Sequence, residues 1–89
     1  MAYPQLFTPI KIGHLTPLTG FLGALGEYAV MGIKMATDEI NAAGGVMGRK
    51  LEVISRDDNG TPGDAVRVAE ELVSREGVTM LTGGFLSHV

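Results

Sequence analysis

The fold of this chain is decided by residues 10–45, IKIGHLTPLTGFLGALGEYAVMGIKMATDEINAAGG. Residues 10–15 are a short, mostly apolar run that favours a buried parallel strand, and Pro17 ends the strand because it lacks a backbone donor. A helical pattern follows from Glu27 to the glycine pair at residues 44–45, a common helix stop. The loop between strand and helix contains Thr19, Gly20, Gly23 and Gly26. We expect a ligand to meet this loop, because glycine lets the backbone approach a bound group closely.

The predicted first helix has one apolar face and one polar face. Its apolar positions, at spacings of one helical turn, are Ala29, Ile33, Ala36 and Ile40. Its polar positions are Lys34, Asp38, Glu39 and Asn41. We expect the apolar positions to pack on the sheet and the polar ones to lie in solvent.

The second half of the chain repeats the alternation of strand and helix. LEVISRDD at residues 51–58 indicates a second strand, and VTMLT at residues 78–82 indicates a third. Between them, Thr61 is expected to cap a helix that starts at Pro62 and runs to about Arg75. The apolar face of this helix is expected to comprise Ala65, Val66, Val68, Ala69, Leu72 and Val73.

The predicted order β-α-β-α-β is the repeating unit of a parallel α/β sheet. Right-handed crossovers leave two strand orders, 2-1-3 and 3-2-1, of which we favour 2-1-3 with a central first strand. In that order the two helices cover opposite faces. The carboxyl ends of strands one and three then diverge at a topological switch point, the usual ligand crevice of such sheets. The loops at residues 16–26 and 83–87 would form the crevice.

The third predicted strand, residues 78–82, has no charge or proline to protect a sheet edge. Native edge strands use such residues to prevent pairing with other chains. We therefore expect this sequence to be the first part of a longer domain. In isolation, the chain is expected to self-associate through this strand.

Composition limits the class of protein. The chain has 89 residues, a net charge of −3 and no cysteine. These values indicate one small domain without disulfides or thiolate metal sites, and they argue against a nucleic-acid partner. No apolar run approaches the ~20 residues that span a bilayer. Residues 1–8 are expected to be a loose leader without a signal peptide, and residues 9–89 to form the domain.

Few patterns support catalysis or metal binding. GFLGALG at residues 20–26 invites comparison with the dinucleotide-binding pattern G-x-G-x-x-G, but its first two glycines are spaced too widely. Asp57 and Asp58 end the second strand, where a ribose-binding acid would lie, but come later than that pattern requires. His14 and His88 have no partner at metal-ligand spacing, and no serine lies in a nucleophile elbow. A truncated dinucleotide-binding enzyme domain stays open as an alternative.

Three motifs carry a family resemblance: PLTG at residues 17–20, DEINAAGGVMGRKLE at residues 38–52 and RDDNGTPGDAV at residues 56–66. Together they resemble the N-terminal part of a type I periplasmic binding protein of the leucine/isoleucine/valine-binding type. The resemblance implies a two-lobed receptor of an ABC importer, extracytoplasmic, non-enzymatic and without a cofactor, whose first Rossmann-like lobe begins here. It implies an amino acid or related carboxylate as ligand, and permease subunits as partners of the intact protein.

The resemblance also implies which residues meet the ligand. Ser87 matches the serine that holds the ligand carboxylate, and the backbone at Phe85 and Leu86 belongs to the same loop. Leu25 matches a position whose side chain packs on the ligand. The turn that shapes the pocket wall is matched by Thr19 and Gly20.

These assignments have plainer alternatives. The Ser87 hydroxyl could cap its own turn, and Leu25 could belong to the core. Some members carry an aromatic ring at the position of Leu25, which leaves the ligand class open. An aromatic acid, urea or an amide also stays open as a ligand, because related receptors use this half of the cleft for the shared carboxylate-like end. Some members also have a disulfide at the positions of Gly60 and Leu86, which this chain lacks.

Overall fold

The computed structural model describes residues 8–89, which form alternating strands and helices. Their order is β1 (Ile10–Thr16), α1 (Gly23–Ala42), β2 (Leu51–Asp57), α2 (Pro62–Ser74) and β3 (Met80–Gly83). This order confirms the predicted α/β class. Residues 1–7 of the predicted leader lie outside the described residues, so the division into leader and domain stays a prediction.

The sheet has three parallel strands in the order β2-β1-β3. The favoured order 2-1-3 is therefore confirmed, and 3-2-1 is wrong. Gly13 of the central strand lies between Ile54 of β2 and Leu81 of β3. Because β1 is central, the loop that follows it emerges between the loops that follow both neighbours.

The core lies between α2 and one face of the sheet. Val68 and Leu72 of α2 are buried with Val78, and Leu15 and Ile54 of the strands pack against them. Burial of apolar side chains here supplies the main driving force for docking α2. The apolar face predicted for α2 included too many residues, because two of them are more than half exposed: Val66 and Val73.

Helix α1 covers the opposite face of the sheet and begins one turn earlier than predicted. It starts at Gly23 instead of Glu27, and within it only Gly23 and Gly26 are fully buried. A Cβ atom at Gly26 would overlap the backbone carbonyl of Pro17. Gly26 thus allows close contact between the helix and the end of the strand, whereas the sequence predicted a loop that approaches a ligand.

The predicted apolar face of α1 is wrong at its C-terminal end. Ala29 and Ile33 are half-buried, but Ala36 and Ile40 are exposed. Asn41, expected in solvent, is half-buried and hydrogen-bonded to the backbone of β2. The half-buried side of α1 therefore continues from Ile33 to Asn41, at steps of four residues, and leaves Ala36 and Ile40 outside it.

Two smaller differences concern α2 and β3. Thr61 has the extended backbone of an N-cap and precedes Pro62 as predicted, but its side chain makes no capping hydrogen bond. Strand β3 starts at Met80, two residues later than predicted, because Val78 turns into the core and Thr79 bonds to Lys11 before regular pairing begins. Neither helix in the described part of the chain is long and apolar enough to cross a membrane.

Candidate functional site

The carboxyl ends of β1 and β3 are held close together by two glycines. The backbone N–H of Gly84 donates to the carbonyl of Leu15 at 3.0 Å. A Cβ atom at Gly83, whose φ is +117°, would overlap that same carbonyl. Only glycine tolerates both the positive φ and the close approach. The loop after β3 therefore starts in direct contact with the central strand, at the predicted switch point.

Phe85 lies on the α1 side of this glycine pair. With His14, Thr16 and Ala29 it lines an open cavity of about 210 Å³. The ring is half exposed. Phe85 is therefore positioned to present an apolar surface beside the end of the central strand.

Ser87 lies on the α2 side of the glycine pair. With Leu15, Ala65 and Leu81 it lines a second open cavity, of about 380 Å³. Its hydroxyl makes no hydrogen bond to the described residues, although Val89 N–H bonds to the Leu86 carbonyl and closes the local turn. The hydroxyl does not cap that turn, so the plainer alternative for Ser87 has no support from the contacts.

Leu86 joins the loop after β3 to the turn after β2. Its side chain is half-buried, and a Cβ atom at Gly60 would lie 3.5 Å from its Cδ1. These are the two positions at which the resemblance noted above implies a disulfide in other proteins. In this chain the Leu86 side chain instead packs over Gly60 and brings the two loops together.

Thr19 and Gly20 lie at the other end of the candidate site, above β2. Gly20 has a φ of +75°, and both residues are exposed. The Thr19 hydroxyl donates to Asp57 Oδ2 at 2.7 Å and lies 3.3 Å from Asn59 Oδ1. Neither residue lines the cavities beside Phe85 and Ser87. The turn therefore stands apart from the loop after β3.

Asp57 organises this turn. Its Oδ1 accepts hydrogen bonds from the backbone N–H groups of Leu18 and Asn59, each at 2.9 Å. Burial acts to raise the pKa of the Asp57 carboxyl, but these bonds and the one from Thr19 outweigh burial and lower the pKa. Both oxygens of Asp57 accept hydrogen bonds from the protein itself, so Asp57 has structural partners where the dinucleotide-binding alternative required a ribose.

Leu25 lies in the first turn of α1 and is 46% exposed. The side chain is accessible within the described residues, and whether Leu25 contacts a ligand or belongs to a core stays a prediction. The described structure thus has all six predicted residues at the carboxyl edge of the sheet, but on three separate segments: the loop after β3, the loop after β1 and the first turn of α1. None of the six has its role tested by these contacts.

His14 and Asp58 lie beneath the site and have structural partners. The Nδ1 atom of His14 lies 2.9 Å from Ser55 Oγ. Burial lowers the pKa of His14, partly opposed by the negative charge of Asp58. Asp58 is fully buried and accepts the N–H of Gly60 at 2.8 Å. Within residues 8–89, no group of three metal-ligating side chains exists.

Sequence reasoning missed the hydrogen bonds of Asp57 to the loop after β1 and weighed the residue as a ribose ligand. The sequence signal was the position of Asp57 at the end of the predicted second strand. In the structure Asp57 pairs in register with Thr16, so both lie at the ends of adjacent strands. A carboxylate there faces the first free N–H groups of the loop that follows. What the sequence did not contain was the conformation that points those groups at Asp57.

Comparisons with known proteins agree on one family. A family model described as "Periplasmic binding protein" matches residues 9–89. The chain is 37% identical over 86 residues to Leu/Ile/Val-binding protein homolog 8 of Brucella suis biovar 1 (strain 1330), covering 97% of this chain and 21% of that protein. The chain therefore spans about a fifth of the length of the curated relatives that it matches.

Two solved structures that this chain resembles contain a bound ligand. One is the branched-chain amino acid transporter substrate-binding protein LivJ of Streptococcus pneumoniae in complex with isoleucine: TM-score 0.78, 37% identity, 85% of this chain and 22% of that one. Another is an ABC transporter solute-binding protein of Rhodopseudomonas palustris in complex with 3,4-dihydroxybenzoic acid. There the TM-score is 0.71 and the identity 31%, over 83% of this chain and 20% of that one.

Proposed function

The chain belongs to the periplasmic binding protein family, and from this premise we propose that it forms part of one lobe of an extracytoplasmic solute receptor. The receptor would serve an ABC importer and bind a branched-chain or related amino acid between two lobes. It would perform no chemistry on its ligand. Ligand binding would shift the receptor to a closed form that permease subunits recognise, because the closed form makes more contacts with the ligand.

The observation that carries this proposal is the free hydroxyl of Ser87. It lies exposed in the loop after β3, beside the backbone of Phe85 and Leu86, with no hydrogen-bond partner in the described residues. A carboxylate is held well by preorganised O–H and N–H donors. Isoleucine and 3,4-dihydroxybenzoic acid, the ligands in two related structures, share a carboxyl group. Ser87 would hold that common group.

The remaining predicted residues would shape the rest of this half of the cleft. Leu25, exposed on the first turn of α1, would pack on the ligand side chain, and Phe85 would add apolar surface. Thr19 and Gly20 would form the wall above β2. The contact at position 25 would be worth about 25 cal/mol per Å² of apolar surface removed from water, for an aliphatic or an aromatic ligand.

A graft tests the proposal. Residues 9–89 replace the matching segment of the Streptococcus pneumoniae LivJ protein, which supplies the remaining parts of the cleft, and isoleucine binding is measured by calorimetry. We expect the graft to bind isoleucine, and Ser87→Ala to weaken binding about tenfold to a hundredfold, since a hydrogen bond to a charged group is lost. The matched control is Ser74→Ala. Among residues 8–89, the Ser74 hydroxyl donates to the Glu70 carbonyl on α2 and makes no other hydrogen bond.

Two results would contradict the proposal. One is a graft that unfolds cooperatively, as the parent does, but shows no isoleucine binding. The other is a Ser87→Ala graft that binds as tightly as the Ser74→Ala control. The second result would remove Ser87 from the ligand site and leave the family membership untouched.

A further inference from the structure

We propose that Asp57 is a positioning residue for the ligand cleft. From the end of β2 it would hold the loop after β1, including Thr19 and Gly20, in the shape that faces the ligand. This inference rests on the proposed function and assigns to that site a residue that need not touch the ligand.

The geometry connects two distant segments through one side chain. Asp57 Oδ1 accepts the N–H of Leu18 at 2.9 Å, and Oδ2 accepts the hydroxyl of Thr19 at 2.7 Å. The Asn59 N–H, also bound to Oδ1, keeps the carboxylate turned toward the loop. The donors Leu18 and Thr19 precede Asp57 by 39 and 38 residues. One carboxylate therefore fixes consecutive residues of the loop at two points.

Little else fixes this loop. Among residues 8–89, the hydrogen bonds that tie residues 17–22 to any segment other than α1 end on Asp57 or Asn59. The contact of Gly26 with the Pro17 carbonyl places the helix but leaves Thr19 and Gly20 untouched. Without Asp57, the two wall residues would retain local contacts and the longer contact of the Thr19 hydroxyl with Asn59 Oδ1, at 3.3 Å.

Because Asp57 holds the loop after β1 by hydrogen bonds, a conservative variant can separate the effect of these bonds from the effect of the charge. An asparagine in place of Asp57 keeps a carbonyl oxygen that can accept both N–H groups, while its NH₂ group faces the Thr19 hydroxyl, which can turn to accept. Asp57→Asn would thus preserve the geometry and lose only the charge. Asp57→Ala would remove all the hydrogen bonds that the Asp57 carboxylate accepts.

The experiment has two parts. In the 89-residue chain, amide hydrogen exchange is measured at Leu18. In the LivJ graft, the isoleucine dissociation constant is measured. We expect Asp57→Ala to speed exchange at Leu18 and to weaken isoleucine binding about tenfold, the equivalent of one or two net hydrogen bonds. Asp57→Asn is expected to restore binding to within about threefold of the unmodified graft.

The control separates positioning from general stability. Asn41→Ala breaks two hydrogen bonds between α1 and the opposite end of β2. It is expected to lower the melting temperature without changing the isoleucine dissociation constant. If Asp57→Ala does not fold, Asp57→Glu replaces it, since the longer side chain keeps the charge but moves both oxygens away from their donors.

Each outcome either supports or contradicts the positioning role of Asp57. The inference is overturned if Asp57→Ala frees the Leu18 amide yet leaves isoleucine affinity unchanged. It is also overturned if Asn41→Ala weakens binding as much, or if Asp57→Asn rescues nothing. A folded graft with Asp57 intact that binds no isoleucine contradicts the proposed function itself, and the positioning role falls with it.

Discussion

The side-chain amide of Asn41 and the backbone of Leu51 form a reciprocal pair. Asn41 Nδ2 donates to the Leu51 carbonyl at 2.9 Å, and the Leu51 N–H donates to Asn41 Oδ1 at 2.8 Å. Because one partner is a donor and the other an acceptor, only one orientation of the amide satisfies both. The pair joins the last turn of α1 to the first residue of β2. It thereby determines where the second strand starts.

Asn41→Ala is expected to destabilise the chain by about 2 kcal/mol, because two half-buried hydrogen bonds are lost. Asn41→Asp should cost at least as much, since a carboxylate cannot donate to the Leu51 carbonyl. Urea unfolding followed by circular dichroism measures both changes. A loss under ~0.5 kcal/mol for both variants would mean that water replaces the pair without cost.

Two glycines of α1 are expected to respond oppositely to alanine. Gly26→Ala should destabilise the fold by about 3 kcal/mol, because the new methyl group collides with the Pro17 carbonyl. Gly32→Ala should stabilise it by about 0.5–1 kcal/mol, because a Cβ there meets no atom within 4 Å and alanine favours helix. Thermal unfolding of the two variants checks the contrast. Equal shifts would show that the helix does not press on Pro17.

Thr16→Val is expected to stabilise the chain. The Thr16 side chain is 1% exposed, and its Oγ1 has no hydrogen-bond partner among the described residues. Valine has nearly the same shape and removes the buried unpaired hydroxyl, a gain of about 1 kcal/mol. Urea unfolding measures the change. A loss of stability would reveal a bound water that satisfies the hydroxyl.

His14 is expected to make stability fall as the pH falls below about 6.5. Burial lowers the pKa of the folded His14, so the unfolded chain takes up a proton first. Stability is then lost progressively until the pH reaches the lower, folded pKa. His14→Val should flatten this part of the pH profile of the unfolding free energy. The control His88→Asn, at an exposed position, should retain the slope.

The outer edge of β3 is expected to drive self-association of the 89-residue chain. All four of its residues are exposed, and within the described structure β3 pairs only with β1. Sedimentation at increasing concentration should show dimers or larger species, and Thr82→Lys should reduce them, because a lysine on an edge disfavours strand pairing. A strictly monomeric profile at high concentration would contradict this expectation.

Sequence reasoning was most reliable where the pattern repeats along a single element. The apolar runs of β1 and β2, and the triad Ala65, Val68 and Leu72 on α2, are confirmed by burial or pairing. It was least reliable for α1, whose residues alternate between small and apolar types on several sides. A helix with alanine and glycine on two faces has no single hydrophobic face, so periodicity alone misplaces it.

The candidate site also has one part that the sequence predicts and another that it does not. The two loops at the carboxyl ends of β1 and β3 follow from the strand order. Their internal arrangement does not follow from it. Phe85 and Ser87 lie only two residues apart, yet the turn at Gly83 and Gly84 places them beside different cavities on opposite faces of the sheet. Sequence spacing treats them as one loop, whereas the backbone gives them separate surroundings.

By itself, the sequence determined the alternation of strands and helices, the parallel α/β class and the family resemblance, and it favoured the strand order 2-1-3 over 3-2-1. Those properties depend on periodicity and on glycine and proline positions within short segments. Only the tertiary structure decided that α1 begins at Gly23, that Asn41 anchors β2, and that Asp57 holds Leu18 and Thr19. Each depends on a backbone group meeting a partner from another segment, up to 39 residues away for Asp57. Such a meeting is not encoded in local periodicity, because the direction of each N–H group is set only when the strands pair and the helices dock.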